Sequence, residues 1–400
     1  AGLVAYTYAG YPALLLLLGR RARPAATNED DASWPSISIL VAAYNEEHEI
    51  RATVERLLAL DYPVERRQIL IVSDASSDRT DEIVREYADR GVELLRVAQR
   101  GGKTAAENAA SGHLRGEIIV NTDASIRIRP DALKPMIAAF RDPAVGVVSG
   151  CDVSVSAIAD DANKGEAAYV GYEMWVRELE TNVGGIVGAS GCFFAIRAEL
   201  QRIPAPTHLS RDFAAALVAR EHGMRALSAP ASICYVPRSN DLRAEYRRKV
   251  RTFTRGMETL LFKRHLLNPL EQPVFAWKLF SHKVTRWLIP WAAVAAYLAL
   301  AALAIRYPIA LLLLVAGTIP LIIGIVGWKT ANPARPQPRW VSIPAYAVAG
   351  STAVLRATLQ ALRGERAPIW EPTRRNLTTG GVAGATAAAP AEQAAVGVER

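Results

Sequence analysis

Ile37-Ser-Ile-Leu-Val-Ala-Ala-Tyr-Asn-Glu-Glu47 is a short, β-branched apolar run that gives way at once to polar side chains. Similar runs return at Gln68-Ile-Leu-Ile-Val72, Leu94-Leu-Arg-Val97 and Glu117-Ile-Ile-Val-Asn121, while Ile50, Val54, Leu57 and Leu58 repeat at helical spacing between the first two. Helices alternating with buried strands imply an α/β domain around a mostly parallel sheet. Such sheets bind ligands beyond the carboxyl ends of their strands. The residues in those slots are therefore the candidates: Ala43, Tyr44, Asn45 and Glu46 after the first strand, Asp74 after the second, Gly101-Gly102-Lys103 after the third and Asp123 after the fourth.

Outside this region the chain changes character. Of 400 residues, 50% are hydrophobic and 22% charged, which fills a core and leaves apolar segments over. One of them, Leu3 to Leu18, has no small-residue cleavage site before Arg20 and predicts an anchor helix over 1–20. A polar linker over 21–35 leads into a domain at 36–265. An interfacial stretch at 266–286 ends in a basic and aromatic cluster, Ser281-His-Lys283 and Arg286-Trp287. The region 287–362 predicts spans at Trp287 to Ile305 and Pro308 to Trp328, with a weaker third at Val341 to Leu362 that crosses or lies in the interface. The tail, 363–400, is expected to be disordered from about residue 377. Arg20, Arg21 and Arg23 place the end of the anchor in the cytoplasm, so an integral protein of the cytoplasmic membrane with a cytoplasmic domain is expected.

The formal charge of +8 gathers at Arg20 to Arg23 and at Arg243 to Arg255, without the interleaved aromatics of a single-strand-binding surface. Lipid head groups or phosphates are the expected partners, and nucleic acid is not. Cys151, Cys192 and Cys234 are odd in number and lack metal-ligand spacing, which fits a reduced compartment.

Taken in this order, the strand-end signals resemble the membrane-bound family 2 glycosyltransferases of the cellulose-synthase-like group, over about Ile37 to Trp287. That resemblance implies the GT-A nucleotide-diphospho-sugar transferase fold with flanking transmembrane helices. It also implies transfer from a nucleotide-diphospho-sugar, UDP-sugar favoured, to a lipid-linked or polysaccharide acceptor in polysaccharide or cell-envelope biosynthesis. Val41-Ala-Ala-Tyr44-Asn45-Glu46 is similar to the family's turn against the nucleoside, although acidic residues also suit a helix start. Within Val72-Ser-Asp74-Ala-Ser76-Ser-Asp78-Arg-Thr80, Asp74 is the base-contacting candidate, and Asp78 and Thr80 are better explained as turn and capping residues. Gly101-Gly102-Lys103-Thr104 is not a P-loop, because Val97 stands where its first glycine belongs. Lys103 matches the family's Gly-Lys pair and faces the diphosphate, or is a solvated lysine at a helix start.

Asp123-Ala-Ser125 stands where many members carry Asp-x-Asp for a divalent cation. Asp123 is the metal candidate, for Mg²⁺ or Mn²⁺, with Ser125 in place of the second carboxylate. An Asp123 that merely ends a buried strand is the plain alternative. Gly191 and Cys192, in Gly188-Ala-Ser-Gly191-Cys192, resemble the family's acceptor-side strand, or form a tight turn. In Ser210-Arg211-Asp212-Phe213, Asp212 falls on the position of the catalytic base of an inverting transfer, or caps a helix, and Arg211 replaces the family's first acid. In Arg248-Lys-Val-Arg251-Thr252 only Arg251 matches the Gln-x-x-Arg-Trp of processive members. The competing functions are a soluble-type nucleotidyltransferase, which the apolar spans oppose, and a membrane scaffold or transport component whose transferase domain has lost activity.

Overall fold

The computed structural model describes residues 1–20, 34–155, 164–237, 241–332 and 337–366. Most of the expected linker, with Arg21 and Arg23, and the tail expected to be disordered lie outside them.

Eight strands form one sheet: β1 (Ile37–Ala43), β2 (Arg67–Ser73), β3 (Val92–Arg96), β4 (Ile118–Asp123), β5 (Arg127–Ile128), β6 (Val145–Val155), β7 (Phe193–Arg197) and β8 (Arg225–Pro237). Their order is β3-β2-β1-β4-β7-β6-β8-β5. The first four strands are mutually parallel, as expected from helices alternating with strands. β7 then runs antiparallel to both β4 and β6, and β8 returns parallel to β6, so the sheet is mixed.

All seven residues of β1 are buried because both faces are covered. Side chains alternate with a period of two. Ile39 and Val41 join a core with Val54 and Leu57 of the Ile50–Leu58 helix. Leu40 and Ala42 join the opposite core with Ala106 and Ala110 of the Lys103–Ala110 helix and Ala215 of the Arg211–Glu221 helix. Register places the site. β1 pairs Ala43 with Ser73 of β2 and Ala42 with Asp123 of β4, so Tyr44, Asp74 and Asp123 emerge along one carboxyl edge.

Among the described residues, three helices are long and apolar enough to cross a membrane: Gly2–Gly19, Pro273–Leu303 and Pro308–Thr330. The second begins well before the Trp287 expected from the sequence. Its first turns pack on the sheet domain, burying Phe275, Ala276 and Leu279. Ser281-His-Lys283, expected in an interfacial cluster, turns inward, and the His282 ring nitrogens lie 2.6 Å from Glu180 Oε1 and 2.7 Å from Glu173 Oε1. Tyr11 of the first apolar helix donates to the same Glu180 carboxylate at 2.5 Å. The Lys164–Asn182 helix that carries both glutamates thus ties two apolar helices to the domain. The weaker third stretch is a helix, Arg339–Leu362, which packs Val354 and Ala357 against Met257 of the Leu242–Phe262 helix.

Candidate active site

The turn after β2 is built around Asp74. Its Oδ1 accepts the Gly101 N–H at 2.8 Å and its Oδ2 the Gly102 N–H at 2.7 Å, with only 1% of the residue exposed. Gly102 has φ +85°, a left-handed conformation that glycine adopts without a Cβ clash, and it starts the Lys103–Ala110 helix. The carboxylate therefore shapes the loop that delivers Lys103. Only its remaining lone pairs are left for a nucleoside base.

Asp78 accepts from the N–H groups of Thr80 and Glu47, each at 3.0 Å, and stitches the β2 turn to the β1 turn. Asn45, at φ +52°, accepts the Ser77 N–H at 2.8 Å. Beside them the Arg100 guanidinium lies 3.8 Å above the centre of the Tyr44 ring. Tyr44 and Arg100 form a stacked wall, a cation–π arrangement with a flat polar face.

Lys103 reaches across the edge to Asp123, with which it forms a charge-assisted hydrogen bond, and donates to the Gly191 carbonyl at 3.2 Å. Burial opposes the ammonium, but Asp123 and Glu107 outweigh it and hold the Lys103 pKa above the ordinary lysine value. Lys103 is thus no solvated helix-start lysine. Ser125 lies two residues past the end of β4, and Thr122 Oγ1 donates to the Cys192 carbonyl at 2.9 Å, fixing the 188–192 segment against β4.

Gly191 is where the two halves of the site meet. A Cβ added there would lie 2.9 Å from Asp212 Oδ2, so the glycine leaves the space that the carboxylate occupies. Asp212 stands in the first turn of the Arg211–Glu221 helix, where Ser210 Oγ donates to its Oδ1 at 2.5 Å. Ser210 is the N-cap residue and makes no capping hydrogen bond with its side chain, so Asp212 is not the cap of this helix. Asp123, Lys103, Gly191 and Asp212 are contiguous.

Sequence reasoning missed two groups. Arg211, read as a lost acid, is buried on the other side of its helix start, where Nε lies 3.2 Å from Glu107 Oε2 and Nη1 donates to the Gln201 carbonyl at 3.2 Å. Burial pushes the Glu107 carboxyl up, and Lys103 and Arg211 offset this only in part. Arg255, one turn beyond Arg251 on the Leu242–Phe262 helix, donates to the Thr207 carbonyl at 2.5 Å and interacts electrostatically with Asp212 and Glu107. The four-residue spacing was the available signal, since it puts both arginines on one helical face.

Among the described residues no group of three or more His, Cys, Asp or Glu side chains is placed to hold a metal. The donor set still fits a cation of the Mg²⁺ class, which takes one or two carboxylates plus substrate phosphates. Asp123 is the carboxylate at the strand end, part exposed and held by Lys103.

Residues 38–201 match the glycosyl transferase family 2 model. The beta-monoglucosyldiacylglycerol synthase of Trichormus variabilis is 35% identical over 162 residues, 40% of this chain and 35% of that protein. The poly-beta-1,6-N-acetyl-D-glucosamine synthase of Staphylococcus epidermidis is 34% identical over 116 residues, 28% of each chain. This chain therefore spans about a third of the length of the curated relatives it matches. The mannosyltransferase PcManGT from Pyrobaculum calidifontis, solved with GDP-Man and Mn²⁺, is 22% identical, has a TM-score of 0.69, and covers 91% of this chain and 98% of its own. The architecture is that of the GT-A glycosyltransferases, and the segment 38–201 belongs to glycosyl transferase family 2.

Proposed function

We propose that this chain is a membrane-anchored, inverting glycosyltransferase that moves a sugar from a nucleoside-diphosphate donor to a hydroxyl of a lipid or polysaccharide acceptor. The observation that carries it is the meeting of Asp123, Lys103, Gly191 and Asp212 at the carboxyl edge of β1 and β4. The diphosphate lies along Asp123 and Lys103, with the nucleoside toward Tyr44, Glu46 and Asp74. A divalent cation, when bound, neutralises charge on the leaving diphosphate. Asp212 receives the acceptor hydroxyl proton as the new carbon–oxygen bond forms and the bond to the diphosphate breaks, a role worth roughly a hundred- to ten-thousand-fold in rate.

Three apolar helices support the anchoring, and the names of the relatives support both acceptor classes. UDP remains the favoured nucleoside diphosphate, and the GDP-Man bound to PcManGT makes GDP the second to test. A cytoplasmic domain at the inner membrane is part of the proposal, resting on the basic residues after the first apolar helix. The test is a panel of UDP- and GDP-sugars with Mn²⁺, scored for binding and transfer on wild type and Asp212→Asn. Transfer lost with binding kept is the expected result. Near-normal turnover of a folded Asp212→Asn chain would overturn the assignment.

A further inference from the structure

A cavity of about 410 Å³ opens between the carboxyl half of β6, the Lys164–Asn182 helix and β8. Its volume lies in the range of small-molecule pockets. Its wall combines apolar surface with convergent polar groups: Met174 and Trp175 on one side, Asp152, Ser154, Glu178 and Ser228 around it. Trp175 is 41% exposed, an unusual exposure for an indole that has core to pack against.

The cavity adjoins the proposed reacting edge through one side chain. Ser190 Oγ donates to Asp152, with both carboxylate oxygens at 2.7 Å, and accepts the Cys192 N–H at 3.1 Å. Gly191, the residue between them, lies against Asp212. On its far face the same helix buries Val176 and Leu179 against Tyr11 and Leu15 of the first apolar helix. One end of the cavity is therefore linked to the general-base candidate through Asp152, Ser190 and Gly191, and its helical wall is carried by an element that docks an apolar anchor.

We infer that this cavity receives the acceptor, and that the acceptor is a neutral polyhydroxyl group with an apolar face rather than a lipid phosphate. An indole face and a thioether suit the C–H face of a polyol or sugar ring. Carboxylates and hydroxyls accept hydrogen bonds from vicinal hydroxyls. Asp152 and Glu178 repel a phosphate at the same place, which makes the selection one of charge as well as of shape. The sugar head group of a glycosyldiacylglycerol and a terminal sugar of a glycan both have this chemistry.

This inference rests on the transferase proposal, and the test separates the two. The full chain in lipid nanodiscs, given the donor that binds best in the panel, is offered a glycosyldiacylglycerol, a neutral oligosaccharide or polyprenyl phosphate. Transfer to one of the neutral acceptors and none to polyprenyl phosphate is expected, and which neutral acceptor is used names the source. Trp175→Ala and Glu178→Gln, both at exposed positions and the second nearly isosteric, are expected to raise acceptor KM at least tenfold while donor Kd shifts less than twofold. A wild type that binds no donor and glycosylates nothing ends the transferase proposal and this one with it. A wild type that transfers while both variants keep its acceptor KM, or that prefers polyprenyl phosphate, overturns the cavity assignment alone.

Discussion

Gly191→Ala is the sharpest perturbation the structure offers, because it adds one methyl group to the meeting point of the site. The new Cβ would fall 2.9 Å from Asp212 Oδ2 and 3.3 Å from its Cγ. Ordinary contact begins near 3.4 Å, so the carboxylate must retreat by about half an ångström. The obstacle is the end of a side chain and not backbone, so the fold tolerates the change. What suffers is the hydrogen bond from Ser210, 2.5 Å in the native arrangement, worth about 1 kcal/mol, and with it the position of the base. A misplacement of about 1 Å at a reacting group costs on the order of a hundredfold, so half of that predicts a loss of roughly tenfold or more in turnover. The assay is kcat at saturating donor, with donor Kd by calorimetry and Tm by scanning fluorimetry on the same preparation. Low kcat with donor Kd and Tm near wild type is expected. Turnover within twofold of wild type would show that Asp212 does not act from where it stands.

Asp74→Asn places an amide where two backbone N–H groups point at a carboxylate, and is expected to cost about 1–3 kcal/mol in urea denaturation together with donor affinity. An unchanged midpoint would remove Asp74 from the architecture of the loop. A divalent cation is expected to bind weakly through Asp123, so titration of Mn²⁺ or Mg²⁺ with nucleoside diphosphate present should restore transfer after chelation. Full activity in excess chelator would remove the cation. Burial alone would raise the Glu173 carboxyl, but Arg286 and His282 outweigh it and hold it well below the ordinary glutamate value. A depressed folded pKa contributes stability that is present above the unfolded value and lost as pH falls through the folded one. Melting temperature is therefore expected to fall below about pH 4 in wild type, and less steeply in Glu173→Gln. Parallel curves would place the acid sensitivity elsewhere.

What the sequence disclosed, and what it hid, follow from the range of the interactions. β1, β2 and β4 were legible because strands buried on both faces are largely apolar, a signal carried by a run of consecutive residues, whereas β3, a partly buried edge strand with Glu93 and Arg96, starts at Val92 and not at the Leu94 expected. β6 and β8 were not legible. Gly146 and Gly150 interrupt the first, and Pro230 and the Ala/Ser composition of the second weaken its β-branched signature. The strand-end slots were legible for the same reason as the strands, since parallel register brings them to one edge whatever their side chains do. Which partner each side chain takes there was not. Asp74 reads as a free carboxylate until the Gly101-Gly102 loop, 27 and 28 residues away, is folded onto it. Cys151, Cys192 and Cys234, unrelated by spacing, come to neighbour Asp152, and Cys234 Sγ lies 3.4 Å from its carboxylate.

Arg211 shows why a departure from a family pattern has to be judged by direction as well as identity. An inert scaffold would be the natural inference if the arginine stood in the site in place of an acid, facing the diphosphate edge. It does not: the guanidinium points away from Gly191, to Glu107, Gln201 and Asn108. This pairing has a consequence for the other charges. Glu107 lies 3.9 Å from Lys103 and competes with Asp123 for its ammonium, and a guanidinium behind Glu107 takes up that charge. Lys103 is then released toward Asp123 and the Gly191 carbonyl. Among the described residues Asp212 makes no ion pair within 4 Å, and Ser210 holds it by a hydroxyl alone. Arg255 and Lys103 act on it only through longer-range electrostatics. Arg211 sits behind that division, so an arginine in place of the family's first acid does not by itself argue for an inert scaffold.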